Sequence, residues 1–262
     1  MLRLFKTPKM LLVLTLLIIS ATIFLRQPSV ELFIRFVLTL FIAVVSDILL
    51  VRFRKIESFF PSAAIVSGII IFLLLPPDAS ILELFITVLI ALSAKQFIRI
   101  NKKHIFNPAV FGLFVGGLIF NHIVSWWGVA WQQLKLNNIP AIINFAILLL
   151  PFYVSAIKMR RLKIIASFLL IYNLYNYFFA GVLTIFDPTV IFFSFVMLPE
   201  PMTTPSNHKS QIIFGIFVAL FAILVSYQSF IFIPDSLILA LLVGNTVFFK
   251  WRKNEVVLKA GK

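Results

Sequence analysis

Long apolar runs, separated by short polar connections, occupy almost the whole of the chain. A helix needs about 20 apolar residues to cross a bilayer, and the spacing of the runs predicts ten membrane segments, some of them short. They lie at residues 10–25, 32–51, 61–76, 81–97, 107–123, 140–157, 164–183, 189–199, 211–228 and 231–250. The pattern predicts an all-α integral membrane protein with one polytopic domain over residues 1–262, including a basic cytoplasmic tail at 251–262.

Two of these segments, the third and the eighth, run into clusters of proline. The third ends in IIIFLLLPP at 69–77, and the eighth in TVIFFSFVMLPEPMTTP at 189–205. The eighth has only about ten residues before Pro199, about half of what a membrane helix needs. Irregular backbone at membrane depth survives only where protein or a polar cavity surrounds it. The sequence thus predicts broken third and eighth helices, which in transporter-like folds lie at the binding site.

The composition supports the same conclusion, because a soluble protein of 262 residues cannot bury 61% hydrophobic residues with only 12% charged ones. The basic stretch before the first apolar run resembles the start of a signal peptide. No cleavage site follows it, so we expect the run to remain as the first membrane segment. The chain has no cysteine, which excludes disulfides, thiolate-bound iron–sulfur clusters and thiol nucleophiles.

The 23 basic residues are distributed unevenly over the predicted loops. When the loops are assigned to alternate sides of the membrane, all but Arg26, Arg35 and Lys135 fall on one side. Short basic loops stay in the cytoplasm, so we expect a multi-pass protein of the inner (plasma) membrane with both termini in the cytoplasm. This topology explains the net charge of +14 without nucleic acid as a partner.

The ten segments divide into two sets of five, with repeat 1 at about 10–123 and repeat 2 at about 140–250. An odd number of segments in each repeat inserts the second repeat upside down relative to the first. The third and eighth segments both end at prolines, and the fifth and tenth contain Asn107 and Asn245. We therefore expect two inverted five-helix repeats.

Few polar side chains lie within the predicted segments. Asp47 is expected to form an ion pair with Arg52 or Arg54, with a proton or cation site as the alternative. The three histidines are expected at the surface, because no two of them are spaced for a metal or haem on one helix. They are His104, His122 and His208.

Aromatic residues cluster at two places. Trp126, Trp127 and Trp131 follow the fifth segment and are expected to form an outer interfacial belt, with a quinone or flavin platform as the alternative. The aromatic run at 172–179 in the seventh segment is expected to pack and anchor that helix.

Four stretches resemble, in the same order, the membrane subunits NqrB of the sodium-pumping NADH:quinone oxidoreductase and RnfD of the Rnf electron transport complex. They are PSAAIVSGIIIFLLLPP (61–77), AKQFIRINKKHIFNPAVFGL (94–113), MLPEPMTTP (197–205) and PDSLILALLVGN (234–245). The resemblance covers most of the chain from about residue 45. Residues at places matching the family motifs are Lys95, Gln96, Phe106, Asn107, Pro108 and Ala109, and later Glu200, Pro201, Thr203, Thr204 and Pro205, with Glu200 replacing an aspartate.

The resemblance implies a ten-helix subunit of a membrane oxidoreductase that holds flavin and passes electrons through the bilayer, with other membrane and cytoplasmic subunits as partners. Family members usually attach FMN covalently through the threonine of a Ser-Gly-Ala-Thr sequence. This chain has no such sequence, and its outer loop at 124–138 offers only Ser125 as a hydroxyl. We therefore expect a non-covalent flavin, either FMN or riboflavin. The candidate cofactor-binding residues are Ser67, Gly68, Lys95, Asn107, Pro108, Glu200, Thr203 and Thr204.

Two other function classes fit the same sequence. The inverted repeat and the absent attachment threonine favour a transporter or channel for a small solute or ion. A scaffold subunit of a membrane complex, without a cofactor of its own, is the other alternative.

Overall fold

The computed structural model describes residues 8–55, 61–100, 103–129, 150 and 152–255 of the chain. The expectation of an all-α fold is confirmed, since helices make up nearly all of the regular structure in these residues. The one small exception is an antiparallel pair of two-residue strands, β1 (Arg99–Ile100) and β2 (Lys103–His104), in which Arg99 stands opposite His104.

Within the described residues, each predicted segment contains an α-helix or part of one; the segment at 140–157 lies mostly outside them. The α-helices are α1 (Pro8–Arg26), α2 (Val30–Phe53), α3 (Ser62–Leu74), α4 (Ile81–Phe97), α5 (Pro108–Phe120), α6 (152–158), α7 (Leu162–Ala180), α8 (Pro188–Phe192), α9 (His208–Ser226) and α10 (Ser236–Val247). A π-helical turn (Phe193–Met197) continues α8, and 3₁₀ turns lie at Thr184–Phe186 and Phe249–Glu255.

Three of the described helices, α2, α7 and α9, are long and apolar enough to cross a membrane. Several others are apolar but shorter, including α3, α5, α10 and the run of α8 with its π turn. The short α3 is apolar on all sides, and every residue from Ser67 to Leu74 is buried, as expected of a helix inside a bundle. Large apolar side chains such as Phe41, Leu49 and Leu224 are exposed on the longer helices, which suits contact with lipid.

Helices of the same rank in the two parts of the chain pack in the same order. The second helix contacts the fourth and the fourth contacts the fifth in α2–α4–α5, and α7–α9–α10 repeats this pattern. Small residues allow the close approach: a Cβ on Gly112 of α5 would lie 2.6 Å from the Cβ of Ala91 in α4. The contact between α5 and α10 joins the two sets of helices.

The proposed correspondence between Asn107 and Asn245 is wrong. Asn107 precedes α5 and caps its N-terminus, whereas Asn245 lies near the C-terminal end of α10. The residue in the position of Asn107 is Asp235, whose Oδ1 accepts the N–H of Ile238 at 2.9 Å and caps α10. Both residues belong to the group that favours N-caps, so the cap position, and not the amide type, is what the two segments share.

Candidate functional site

The connection between the π turn and α9, residues 198–207, is folded around Glu200; we call it the long connection. The main-chain oxygen of Glu200 accepts the hydroxyl of Thr204 at 2.6 Å, and Glu200 Oε2 accepts the hydroxyl of Thr203 at 3.1 Å. Both threonines are buried, with 0% and 2% exposure. The predicted residues Glu200, Thr203 and Thr204 therefore form one hydrogen-bonded group, which orders backbone that the prolines prevent from being helical.

The β1–β2 hairpin contacts this group through His104. Its Nε2 lies 3.3 Å from Oε1 of Glu200, and the histidine is 8% exposed. The expectation that His104 lies at the surface is wrong, because the fold buries it against Glu200, which is 96 positions away in the chain. A histidine–carboxylate contact of this kind orients both side chains near the start of the long connection.

Arg252, in the last 3₁₀ turn, joins three segments. Its Nη1 donates to the main-chain oxygens of Ile105 at 3.0 Å and Met202 at 3.4 Å, and its Nη2 donates to that of Asn245. Burial lowers the pKa of Arg252 to about 10, against the opposing effect of Glu200, so the guanidinium stays charged at neutral pH. Sequence analysis predicts no role for Arg252, because it lies in the basic stretch 251–262 that is expected to form a cytoplasmic tail.

The side chain of Asn245 is the least satisfied polar group near Arg252. It is 0% exposed, and neither its Nδ2 nor its Oδ1 has a hydrogen-bond partner among the described residues. A buried polar group without a partner costs about 1–3 kcal/mol. Such a group marks a position where a bound polar molecule would restore the missing bonds.

Asn107 and Pro108 belong to the same end of the molecule. Asn107 stands two residues after Ile105, whose carbonyl Arg252 binds. It is 5% exposed, and its Oδ1 accepts the N–H of Val110 at 3.3 Å, with Pro108 in the first turn of α5. Arg252 thus links the backbone just before Asn107 and Pro108 to the group formed by Glu200 and the two threonines. Five of the eight candidate residues lie at this end of the molecule.

Lys95 lies in a separate network between α2 and α4. Its Nζ is 2.9 Å from both carboxylate oxygens of Asp47, and Gln96 Nε2 donates to Oδ1 of the same carboxylate at 2.8 Å. The prediction that Asp47 pairs with Arg52 or Arg54 is therefore wrong. Arg54 reaches Asp47 only indirectly, by donating to Gln96 Oε1 at 2.9 Å.

Ser67 and Gly68 lie in the buried part of α3. The hydroxyl of Ser67 donates to the main-chain oxygen of Ala63, one turn earlier. A Cβ added to Gly68 would lie 3.0 Å from the Cβ of Ala43 in α2. These two candidates thus contact α3 itself and α2, away from the long connection.

The segment after α5 closes the end of α3. The main-chain N–H of Ser125 donates to Leu74 and that of Gly128 to Leu73, and Trp127 Nε1 donates to the oxygen of Leu75 at 2.7 Å. These bonds supply partners for carbonyls that a helix end leaves unpaired.

Trp126 lies in the same segment and is 6% exposed; its Nε1 donates to Asp235 Oδ2 at 2.8 Å. The predicted interfacial belt is therefore wrong for Trp126, which is buried, while Trp131 lies outside the described residues.

A cavity of about 600 Å³ opens beside this segment. His122 lines it, stacks on Phe120 and has two buried ring nitrogens without a partner in the described part of the chain. His122 is half-buried, so the expectation of a surface position is met only in part there, and it holds for His208, which is exposed. The other lining residues include Asp78, Glu83, Asn121, Ser125 and Phe232.

Within the described ranges, no three histidine, aspartate or glutamate side chains are grouped so that they could hold a metal ion. Comparison with protein-family models and with curated protein sequences finds no match to this chain. The functional argument therefore rests on the geometry of the site and on the motifs of the sequence.

Proposed function

We propose that the protein is a membrane subunit of a flavin-dependent electron transport complex, as its resemblance to NqrB and RnfD implies. The observation that carries the proposal is the convergence of the two segments with the most specific motifs. Residues 106–109 and 200–205 are far apart in the chain, yet His104 contacts Glu200, and Arg252 bonds to both Ile105 and Met202. A shared binding role explains why both motifs occur.

The residues at this point fit the polar edge of a flavin. An isoalloxazine ring presents carbonyl acceptors and an N–H donor along one edge. The amide of Asn245, which has no partner in the part of the chain that the structure describes, offers one donor group and one acceptor in return. Asn107, Thr203 and Thr204 are buried nearby. A bound flavin supplies the electron-transfer chemistry, while the chain orients it and excludes water from its polar edge.

The membrane arrangement belongs to the same proposal. We propose that the protein lies in the inner membrane with ten segments in two inverted repeats, and that both termini are in the cytoplasm. The equivalent packing of α2–α4–α5 and α7–α9–α10 supports it. So does the distribution of basic residues between alternate loops. In this arrangement the long connection lies on the cytoplasmic side, where a soluble donor subunit can reach it.

The test is the chromophore of the protein purified from co-expressed complex. Wild type should carry a yellow flavin that is released on denaturation, with no covalent fluorescence on a denaturing gel. Asn245→Leu should retain about tenfold less flavin, because the ring edge loses its partners. The same change should raise the melting temperature of the flavin-free protein, since it removes an unsatisfied buried amide.

Thr87→Val is the matched control. Thr87 in α4 is also 0% exposed, and its hydroxyl also lacks a partner among the described residues, but it faces Gly116 of α5. This variant should keep its flavin, whereas Thr203→Val should lose it. A well-folded complex that contains no flavin would contradict the proposal.

One observation favours a second function, the passage of a small solute. The cavity of about 600 Å³ lies at the opposite end from the long connection, and it is lined by His122, whose ring nitrogens have no partner within the described ranges. Flavin-free protein that conducts a solute into proteoliposomes, and loses this flux in His122→Phe, would support the transporter instead.

A further inference from the structure

A second cavity, of about 500 Å³, lies between the turn that joins α6 to α7 and the start of α9. No predicted function uses it. It is lined by Met159, Arg160, Arg161, Ser206, Asn207 and His208. No carboxylate stands among these described lining residues, so the cavity is basic.

Two buried side chains hold the walls of this cavity in place. Arg161 donates through Nη1 to the main-chain oxygen of Pro205 at 2.7 Å. Gln211, 1% exposed, donates through Nε2 to the main-chain oxygens of Arg160 and Ser206, each at 3.0 Å. The two sides of the cavity are therefore cross-linked, and its shape does not depend on exposed side chains.

Two long helices begin at the cavity, and both direct positive N-terminal ends toward it. Arg161 precedes α7 without a side-chain cap, and Asn207 caps α9. Neither helix has an acidic residue in its first turn, which the structure describes in full, whereas α2 and α4 have Glu31 and Glu83 there. Helix N-termini attract anions, and at this cavity no acidic side chain of the first turn supplies the negative charge.

Arg160 occupies a backbone conformation that favours glycine. Its φ is 55°, in the left-handed region at the end of α6. Glycine is the usual residue at this place after a helix, because it has no Cβ. Arg160 is exposed and lines the cavity, so an arginine stands at the cavity mouth at a cost in backbone energy.

We propose that this cavity binds a phosphate group, supplied by the headgroup of an anionic phospholipid. Arginine pairs with phosphate oxygens through two parallel hydrogen bonds, and His208 and the two helix starts add donors. Both helices are long and apolar enough to cross a membrane, and in that arrangement their first turns would lie at the depth of the lipid phosphates. Basic pockets between helix ends on the cytoplasmic side commonly bind such headgroups.

Arg160→Gly separates binding from folding, and Lys55→Gly is its matched control. Lys55 is also basic, exposed, left-handed with φ 53° and at the end of a helix, but it lies outside the cavity. In phosphatidylcholine nanodiscs both variants should fold and melt at or above the wild-type temperature, because glycine relieves the backbone strain. Wild type and Lys55→Gly should gain further stability when phosphatidylglycerol is added.

Arg160→Gly should lose most of that gain. In native mass spectra, the fraction of protein carrying a bound phosphatidylglycerol should fall about tenfold, which is the effect of losing one charge-assisted hydrogen-bonding group. A parallel series with inorganic phosphate in phosphatidylcholine distinguishes the source. Stabilisation of wild type but not of Arg160→Gly by phosphate alone would support the site with a soluble ligand. Equal responses of Arg160→Gly and Lys55→Gly to every addition would overturn the proposal.

Discussion

Two proline-rich connections, the long connection and a shorter one at residues 75–80 between α3 and α4, are held in the same way. Arg35 of α2 donates to the main-chain oxygens of Pro76 at 3.1 Å and Ala79 at 2.6 Å. Arg161 donates to those of Pro205 at 2.7 Å and Pro201 at 3.5 Å. Arg35 lies near the start of α2, which precedes the short α3. Arg161 lies at the start of α7, which precedes the short α8. A guanidinium thus supplies the donors that proline-rich backbone lacks.

The two connections differ in the polar side chains that they bury. The short one leads at once into α4, where Ser80 and Glu83 form a capping box, and its Asp78 is exposed. The long one buries Thr203 and Thr204 and recruits His104 and Arg252 from other parts of the chain. The arginine clamp, together with the bond from Trp127 to Leu75, orders the short connection without any buried polar side chain within it. The long connection has additional buried polar groups, and they support the binding role proposed for it.

The largest expected effect concerns the side of the membrane on which each connection lies. Cysteines placed at the exposed positions 78 and 201 are clean probes because the chain has no cysteine of its own. An impermeant thiol reagent should label Asp78→Cys in intact cells and should label Pro201→Cys only after the cells are opened, as the positive-inside distribution requires. Labelling of both variants in intact cells would refute the inverted arrangement.

The next effect tests how each half joins its second and fourth helices. The first half uses the Asp47–Lys95 ion pair, while in the second half Gly215 of α9 lies against Ser167 and Ile164 of α7. Asp47→Asn should lower the free energy of unfolding by about 3 kcal/mol, because it leaves Lys95 largely buried without its partner. Chemical denaturation in detergent measures this.

The double variant Asp47→Asn with Lys95→Met is the control for that prediction. It removes both charges and should recover much of the lost stability. If the single variant were as stable as wild type, the ion pair would have no structural role. The alternative from the sequence, a proton or cation site at Asp47, would then return.

The sequence predicted the elements better than it predicted their contacts. The segment at 81–97 coincides with α4, and the proline clusters correctly marked the short α3 and α8, because helix length and proline are local properties. The π turn after α8 and the β1–β2 hairpin were missed, since neither has a local signal comparable to proline.

The partner of Asp47 and the surface position of His104 were predicted wrongly for a different reason. Each interacts with a residue that only the packing of distant helices brings near: Lys95 in one case and Glu200 in the other. Likewise, the burial of Arg252 could not be expected from a stretch rich in lysine and arginine. Motif matching selected Asn107, Glu200, Thr203 and Thr204 as candidates. That the amide of Asn245 has no partner among the described residues became visible only with the structure.

The smallest expected effect compares the two clamping arginines directly. Arg161→Met should lower the free energy of unfolding by about 2 kcal/mol, because Arg161 is buried and its loss leaves the carbonyl of buried Pro205 without this donor. Arg35→Met should cost only about 1 kcal/mol, since Arg35 is half-buried and water can replace its bonds. Denaturant titration of both variants in the same detergent gives the two values. Equal losses would mean that burial does not distinguish the clamps, and a larger loss for Arg35→Met would reverse the comparison and make the short connection the more constrained of the two.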